Sequence, residues 1–196
     1  MAQKKEKVLS SKRKGFEIKD YKKNIEEEIK DYSTAKFGAY KGNAYMCGSL
    51  ARLYHNSFYT KQVSKYNLDF KNPFHNNLAQ IIETLFEMED GIEIIDKLFA
   101  KNISDKIAHP SKNPPMKGVG AFEAPRGGLY NEVHINEKGI IEYANIITPT
   151  LQNLTSIEDS AKALLKQHKD KPRKELEHLL KMLVRAYDPC ITCSVH

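Results

Sequence analysis

The chain has 196 residues, 40% hydrophobic and 29% charged, enough for one domain or a large piece of one. No apolar run approaches the roughly 20 residues that cross a bilayer, so no membrane span is expected. The formal net charge is +6, but residues 1–14 carry six basic side chains against one acid, which leaves +1 for the remainder.

That leader reads as a solvated, disordered tail, with a basic segment over 1–19 and the folded part over 20–196. No recognition motif accompanies the charge, which argues against a nucleic-acid partner. The start MAQKKEKVLS is followed by no apolar stretch, so a secretory signal is not expected and the cytoplasm is the expected location.

Over residues 20–32, Tyr21, Ile25, Ile29 and Tyr32 recur at helical spacing behind Asp20 as N-cap, which predicts a helix. Residues 37–48, rich in glycine and aromatics, read as irregular or as a short strand, and residues 49–60 as a helix. The strongest periodicity lies over 74–100, where Leu78, Ile81, Ile82, Leu85, Met88, Ile92, Ile95, Leu98 and Phe99 predict an amphipathic helix with Gly91 as the place for a kink.

Residues 109–120 (HPSKNPPMKGVG) read as a loop. Within 121–148, two β-rich runs flank the turn NEKG and predict a hairpin. Ser156 is the expected cap of a helix over 157–168, and Pro172 fits the first turn of another over 172–186. Asp188-Pro189 stops that helix. The expected fold class is mainly α with a small β hairpin, without βαβ alternation or a phosphate-binding glycine loop.

Three cysteines are present: Cys47, Cys190 and Cys193. The odd number argues against a disulfide scaffold. Cys47 reads as a buried small hydrophobe. Cys190-Ile-Thr-Cys193 presents two soft thiolates across a tight turn, and three chemistries use such a pair. A thioredoxin-like dithiol needs a helix starting at its first cysteine, and three residues after Cys193 make none. A structural zinc site needs four ligands. The third is half of a metal site that another chain completes.

The string Asp188-Pro189-Cys190-Ile-Thr-Cys193-Ser-Val-His196 resembles the DPCxxCxxH motif of nickel–iron hydrogenase large subunits. Glu123-Ala-Pro125-Arg126-Gly127 is similar to that family's EAPRG segment, and Pro149-Thr150-Leu-Gln-Asn153 to its P-T/S-x-x-N region. Gly48-Ser-Leu-Ala-Arg52 is similar to its GPLAR segment, with Ser49 in place of the proline. Val184-Arg-Ala-Tyr-Asp188 resembles the cytoplasmic branch with F420-linked and F420-non-reducing enzymes. The resemblance covers roughly residues 37–196, so the fold expected is part of the hydrogenase large-subunit fold.

The resemblance implies roles. Cys190 matches the terminal nickel ligand, and Cys193 the cysteine bridging nickel and iron. Arg126, set between Pro125 and Gly127-Gly128, matches the guanidinium over the open metal position, facing the carbon monoxide and cyanide ligands of iron. Asp188 matches the acid that holds this arginine, and Thr150 the hydroxyl that donates to a cyanide. His196 matches a ligand of a structural magnesium. The motif RxCxxC, which supplies the family's other two cysteines, is absent from the sequence. Its absence leaves three readings: a split gene whose second polypeptide carries RxCxxC, a fragment of a longer chain, or a degenerate relative, the first two being favoured because Arg126, Asp188, Cys190, Cys193 and His196 are all retained. The implied partners are a polypeptide carrying RxCxxC, maturation factors and an iron–sulfur small subunit. The alternative is a non-catalytic scaffold subunit derived from the same fold.

Overall fold

The computed structural model describes residues 2–4, 7–11, 14–55, 63–101 and 114–193. Three small antiparallel sheets and a set of helices make up these residues. Helix remains the larger share, as expected, but three small sheets stand where a single hairpin was expected.

The first difference lies in the leader. Strands β1 (Ala2–Lys4), β2 (Lys7–Leu9) and β3 (Phe16–Glu17) form an antiparallel ladder in which Val8 faces Phe16. Both side chains enter a core cluster with Tyr21, Ile25, Tyr40, Tyr130, Ile147 and Leu151. Two apolar anchors at paired positions are enough to order a segment that its lysines mark as a tail.

The second difference follows at once. Helix α1 covers only Tyr21–Asn24, and Ile25–Ile29 continues as strand β4, paired along its length with β5 (Lys36–Tyr40). Tyr21 and Ile25 are buried, whereas Ile29 and Tyr32 are 77% and 70% exposed. The helical spacing of these four residues therefore does not mark one buried face; pairing with β5 decides the conformation.

Helix α2 spans Ser49–His55, and residues 56–60 of the helix expected there lie outside the described residues. Helix α3 runs unbroken over Asn76–Phe99, through Gly91. Its first turns bury Ala79 and Ile82 against Leu50, Leu53 and Val63, forming a second core cluster.

The expected hairpin is the second half of a three-stranded sheet, β6 (Met116–Ala124), β7 (Gly127–Ile135) and β8 (Ile141–Ile147), in the order β6-β7-β8. Residues 116–120, read from their glycines as loop, belong to β6; residues 109–113 lie outside the described residues. The NEKG turn forms as expected. Asn136 Oδ1 accepts from the Lys138 and Ile140 amides, and Gly139 takes φ +77°.

Helix α4 spans Pro149–Gln167, beginning well before the expected 157. Thr148, not Ser156, is its cap: its Oγ1 accepts from the Leu151 amide at 3.3 Å, and Pro149 occupies the first turn. Helix α5 covers Arg173–Tyr187, with Pro172 as the residue before its first turn. Asp188 ends it in the left-handed conformation, φ 50° and ψ 55°.

Candidate metal-site corner

Four chain segments meet at one corner: the β6–β7 turn, the start of α4, the end of α5 and the segment before α2. Ala124 pairs with Gly127, so Pro125 and Arg126 form a two-residue turn that carries the arginine at its tip. Arg126 reaches the end of α5. Its Nε donates to the Asp188 carbonyl at 2.6 Å, and Nη2 donates to Asp188 Oδ1 at 3.2 Å. Gln80 of α3 donates to the other carboxylate oxygen of Asp188 at 3.3 Å.

Two residues beyond Asp188, the Cys190 amide donates to Thr150 Oγ1 at 3.0 Å. Thr150 is buried in the first turn of α4, not on the β-strand that its residue type favours. The Cys193 amide donates to the Cys190 carbonyl at 3.2 Å, which closes a turn. The two sulfurs are bonded to each other, with Cα atoms 5.3 Å apart. As metal ligands both would be reduced thiolates. Cys190 is half-buried and Cys193 exposed. His196 lies outside the described residues.

The turn that carries Arg126 is held from below by residues that the sequence did not single out as functional. Arg52 donates from Nη1 to Glu123 Oε2 and to the Ala124 carbonyl, both at 2.9 Å, and from Nη2 to the Pro125 carbonyl at 2.8 Å. Its Nε donates to Glu83 Oε1 of α3 at 2.6 Å. Burial works against the charge of Arg52, and the Glu83 hydrogen bond outweighs it, so the guanidinium pKa is raised.

Cys47 is buried, as expected, but it is also part of the corner. Its sulfur lies 3.6 Å from the carbonyl oxygens of Arg126 and Pro149, and burial pushes its thiol up to about 12. It is a packing contact and not a reactive thiolate. Asn153 accepts from the Cys47 amide at 2.9 Å, and Gln152 donates to the Gly128 carbonyl at 2.6 Å, so α4 grips both sides of the turn. Gly127 takes φ +134°. Its open side faces protein: a Cβ there would lie 2.4 Å from the Cys47 sulfur. The signal for these residues was present in the strings GSLAR and PTLQN, as polar residues within apolar surroundings.

Among the described residues, no group of three or more His, Cys, Asp or Glu side chains is placed to hold a metal. The donor set is two cysteines on one turn, which fits half of a four-thiolate centre and requires further ligands.

The fold is that of nickel–iron hydrogenases. An NAD+-reducing [NiFe]-hydrogenase in the H2-reduced state matches with a TM-score of 0.73 and 22% identity, covering 92% of this chain and 43% of that one. A Ni-Fe-Se hydrogenase from D. vulgaris Hildenborough matches at 0.67 and 19%, covering 97% and 48%. A family model described as nickel-dependent hydrogenase matches residues 3–196, and the chain belongs to that family. The match begins far ahead of residue 37, so the leader falls within the stretch that the family model covers.

The alpha subunit of sulfhydrogenase 1 from Pyrococcus furiosus is 37% identical over 92% of this chain and 44% of its own length. An F420-non-reducing hydrogenase chain of Methanothermobacter thermautotrophicus is 30% identical, over 92% and 42%. The chain thus spans less than half the length of the curated relatives that it matches. No helix is long and apolar enough to cross a membrane among the described residues.

Proposed function

We propose that this chain is the DPCxxCxxH-bearing part of a nickel–iron hydrogenase large subunit, catalysing H2 ⇌ 2H⁺ + 2e⁻ together with a polypeptide that supplies RxCxxC. The observation that carries this reading is the contact chain Arg126–Asp188–Cys190–Thr150, in which four matched positions from three distant segments meet at one corner.

In this reading Cys190 and Cys193 hold nickel and iron as thiolates, with two thiolates from the partner completing the set. Such a centre, with carbon monoxide and cyanide on iron, would supply the redox chemistry for H2. The chain's own residues do the rest. The Cys190 sulfur is the base that receives a proton. Thr150 fixes the Cys190 backbone through its oxygen, which leaves its hydroxyl hydrogen available to donate. Arg126 presents positive charge at the corner, and Asp188 holds the guanidinium in place. His196 is assigned to a magnesium site with oxygen ligands from elsewhere. Electrons leave through an iron–sulfur small subunit, because three cysteines are too few for clusters here. Assembly uses maturation factors, and the expected compartment is the cytoplasm.

The test is H2-dependent dye reduction by the chain co-expressed with an RxCxxC polypeptide, maturation factors and a small subunit. Activity that disappears in Cys190→Ser is expected. Full activity in Cys190→Ser would remove that sulfur from the site. A complex that assembles without nickel or activity would favour the scaffold reading.

A further inference from the structure

Helix α3 is 24 residues long and is packed along only its first part. Asn76, Ala79 and Ile82 are its buried residues, and Glu83 is tied to Arg52. From Glu87 to Phe99 none of its residues is buried. That portion projects roughly 20 Å at 1.5 Å per residue. An exposed helix of this length is marginal in water without a packing partner.

Its outer side is not built for water. Ile81, Leu85, Met88, Ile92, Ile95 and Phe99 are 52% to 86% exposed, at spacings alternating four and three. That repeat draws an apolar seam, the pattern through which two helices interlock, and Ile94 and Leu98, 55% and 47% exposed, widen the apolar surface near its end. Glu89 and Asp96, seven residues apart, run along one flank of the seam. The whole helix carries six acids against Lys97 as its one basic residue. A second copy of α3 laid on the seam would oppose acid to acid. A foreign helix with Lys or Arg beside its own seam would not.

We infer that the seam of α3 docks a helix with an apolar seam and basic flanks, contributed by the cysteine-bearing part of the hydrogenase fold. This rests on the functional reading above for the identity of the occupant. The length of the relatives supports it: more than half of the sulfhydrogenase 1 alpha chain lies outside the segment this chain matches. The seam is then the surface on which the two halves of the metal site are brought together, and α3 links that surface to the corner through Glu83–Arg52 and Gln80–Asp188.

The probe is the part of the Pyrococcus furiosus sulfhydrogenase 1 alpha chain that lies outside the matching segment, co-expressed with the full chain and with metal left out. The expected result is a one-to-one complex in size-exclusion light scattering. Leu85→Glu/Ile92→Glu should weaken it by about 100-fold, with the circular dichroism of the chain unchanged. Glu89→Lys/Asp96→Lys should weaken it by about 10-fold and flatten its salt dependence. Three outcomes overturn the inference: no complex with the natural chain, a complex indifferent to both double variants, or a homodimer that the Leu85→Glu/Ile92→Glu variant dissolves. A separate nickel measurement keeps the two ideas apart. A seam-dependent complex that never binds nickel upholds the docking surface and sinks the catalytic reading. A nickel-loaded complex indifferent to seam variants does the reverse.

Discussion

Asp188 meets two demands with one residue. Its backbone takes the left-handed conformation that ends α5, and its side chain and carbonyl both receive Arg126. Aspartate tolerates that conformation better than most residues with a Cβ. Asp188→Asn should therefore keep the helix end while losing the charge pair, which separates folding from chemistry. Arg126→Lys removes the planar fork that engages Asp188 at two points. We expect about a 100-fold loss of H2-dependent dye reduction in the assembled complex, with assembly unchanged. An Arg126→Lys complex of full activity would contradict the assignment. Gly127→Ala places a methyl against the Cys47 sulfur at a strained φ. It should destabilise the chain by about 2 kcal/mol in urea denaturation.

These residues differ in how far sequence alone could reach. Asp188, Cys190 and Cys193 were singled out because their string resembles the family's DPCxxCxxH motif, the CxxC spacing alone being a weak signal. Arg126 was singled out because its string resembles the EAPRG segment. Arg52 was not assigned a task, because its partners Glu83 and Glu123 lie 31 and 71 residues away. Cys47 looked like an ordinary hydrophobe, and only the fold brings it beneath Arg126 and Pro149.

At the scale of elements, the corner depends on joints between helices and strands. Arg52 connects α2 to α3 through Glu83, to the end of β6 through Glu123 and to the β6–β7 turn through the Pro125 carbonyl. Both ion pairs are mostly shielded from solvent, with side-chain exposures of 13% to 19%. Arg52→Met leaves two carboxylates without their cation and should cost about 3 kcal/mol in denaturant unfolding. A second joint ties α1 to the three-stranded sheet. Glu132 accepts from Tyr21 at 2.7 Å and pairs with Lys22 at 2.6 Å. The hydrogen bond from Lys22, then that from Tyr21, holds the Glu132 carboxyl down at about 2, below its ordinary value of 4.5. The unfolded chain therefore binds a proton at higher pH than the folded one. The stabilisation is present above pH 4.5 and is lost as pH falls towards 2. Thermal melts across that window should show a smaller decline for Glu132→Gln than for the natural chain.

The elements misread from sequence share a physical cause. For β4, a run of charged residues with helical spacing is overruled by pairing with β5. For α4, the helix starts at Pro149 because Thr148 caps it there, eight residues before the cap expected at Ser156. Long α3 and the NEKG turn were legible because their signals are local and repeated.

At the scale of the molecule, the basic leader is drawn into the main core by Val8 and Phe16, and the family match from residue 3 agrees with that placement. Net charge described its surface and hid its two anchors. The corner and the α3 seam are both open, the one in metal ligands and the other in packing. The chain spans less than half the length of its curated relatives, and the length outside the match is enough to serve both. The most direct test is nickel and iron analysis of the chain purified in complex with an RxCxxC polypeptide after maturation. Nickel retained by the natural complex and absent from Cys190→Ser/Cys193→Ser is the expected result. An assembled complex with both cysteines intact and no nickel, or equal nickel in the double variant, would contradict it.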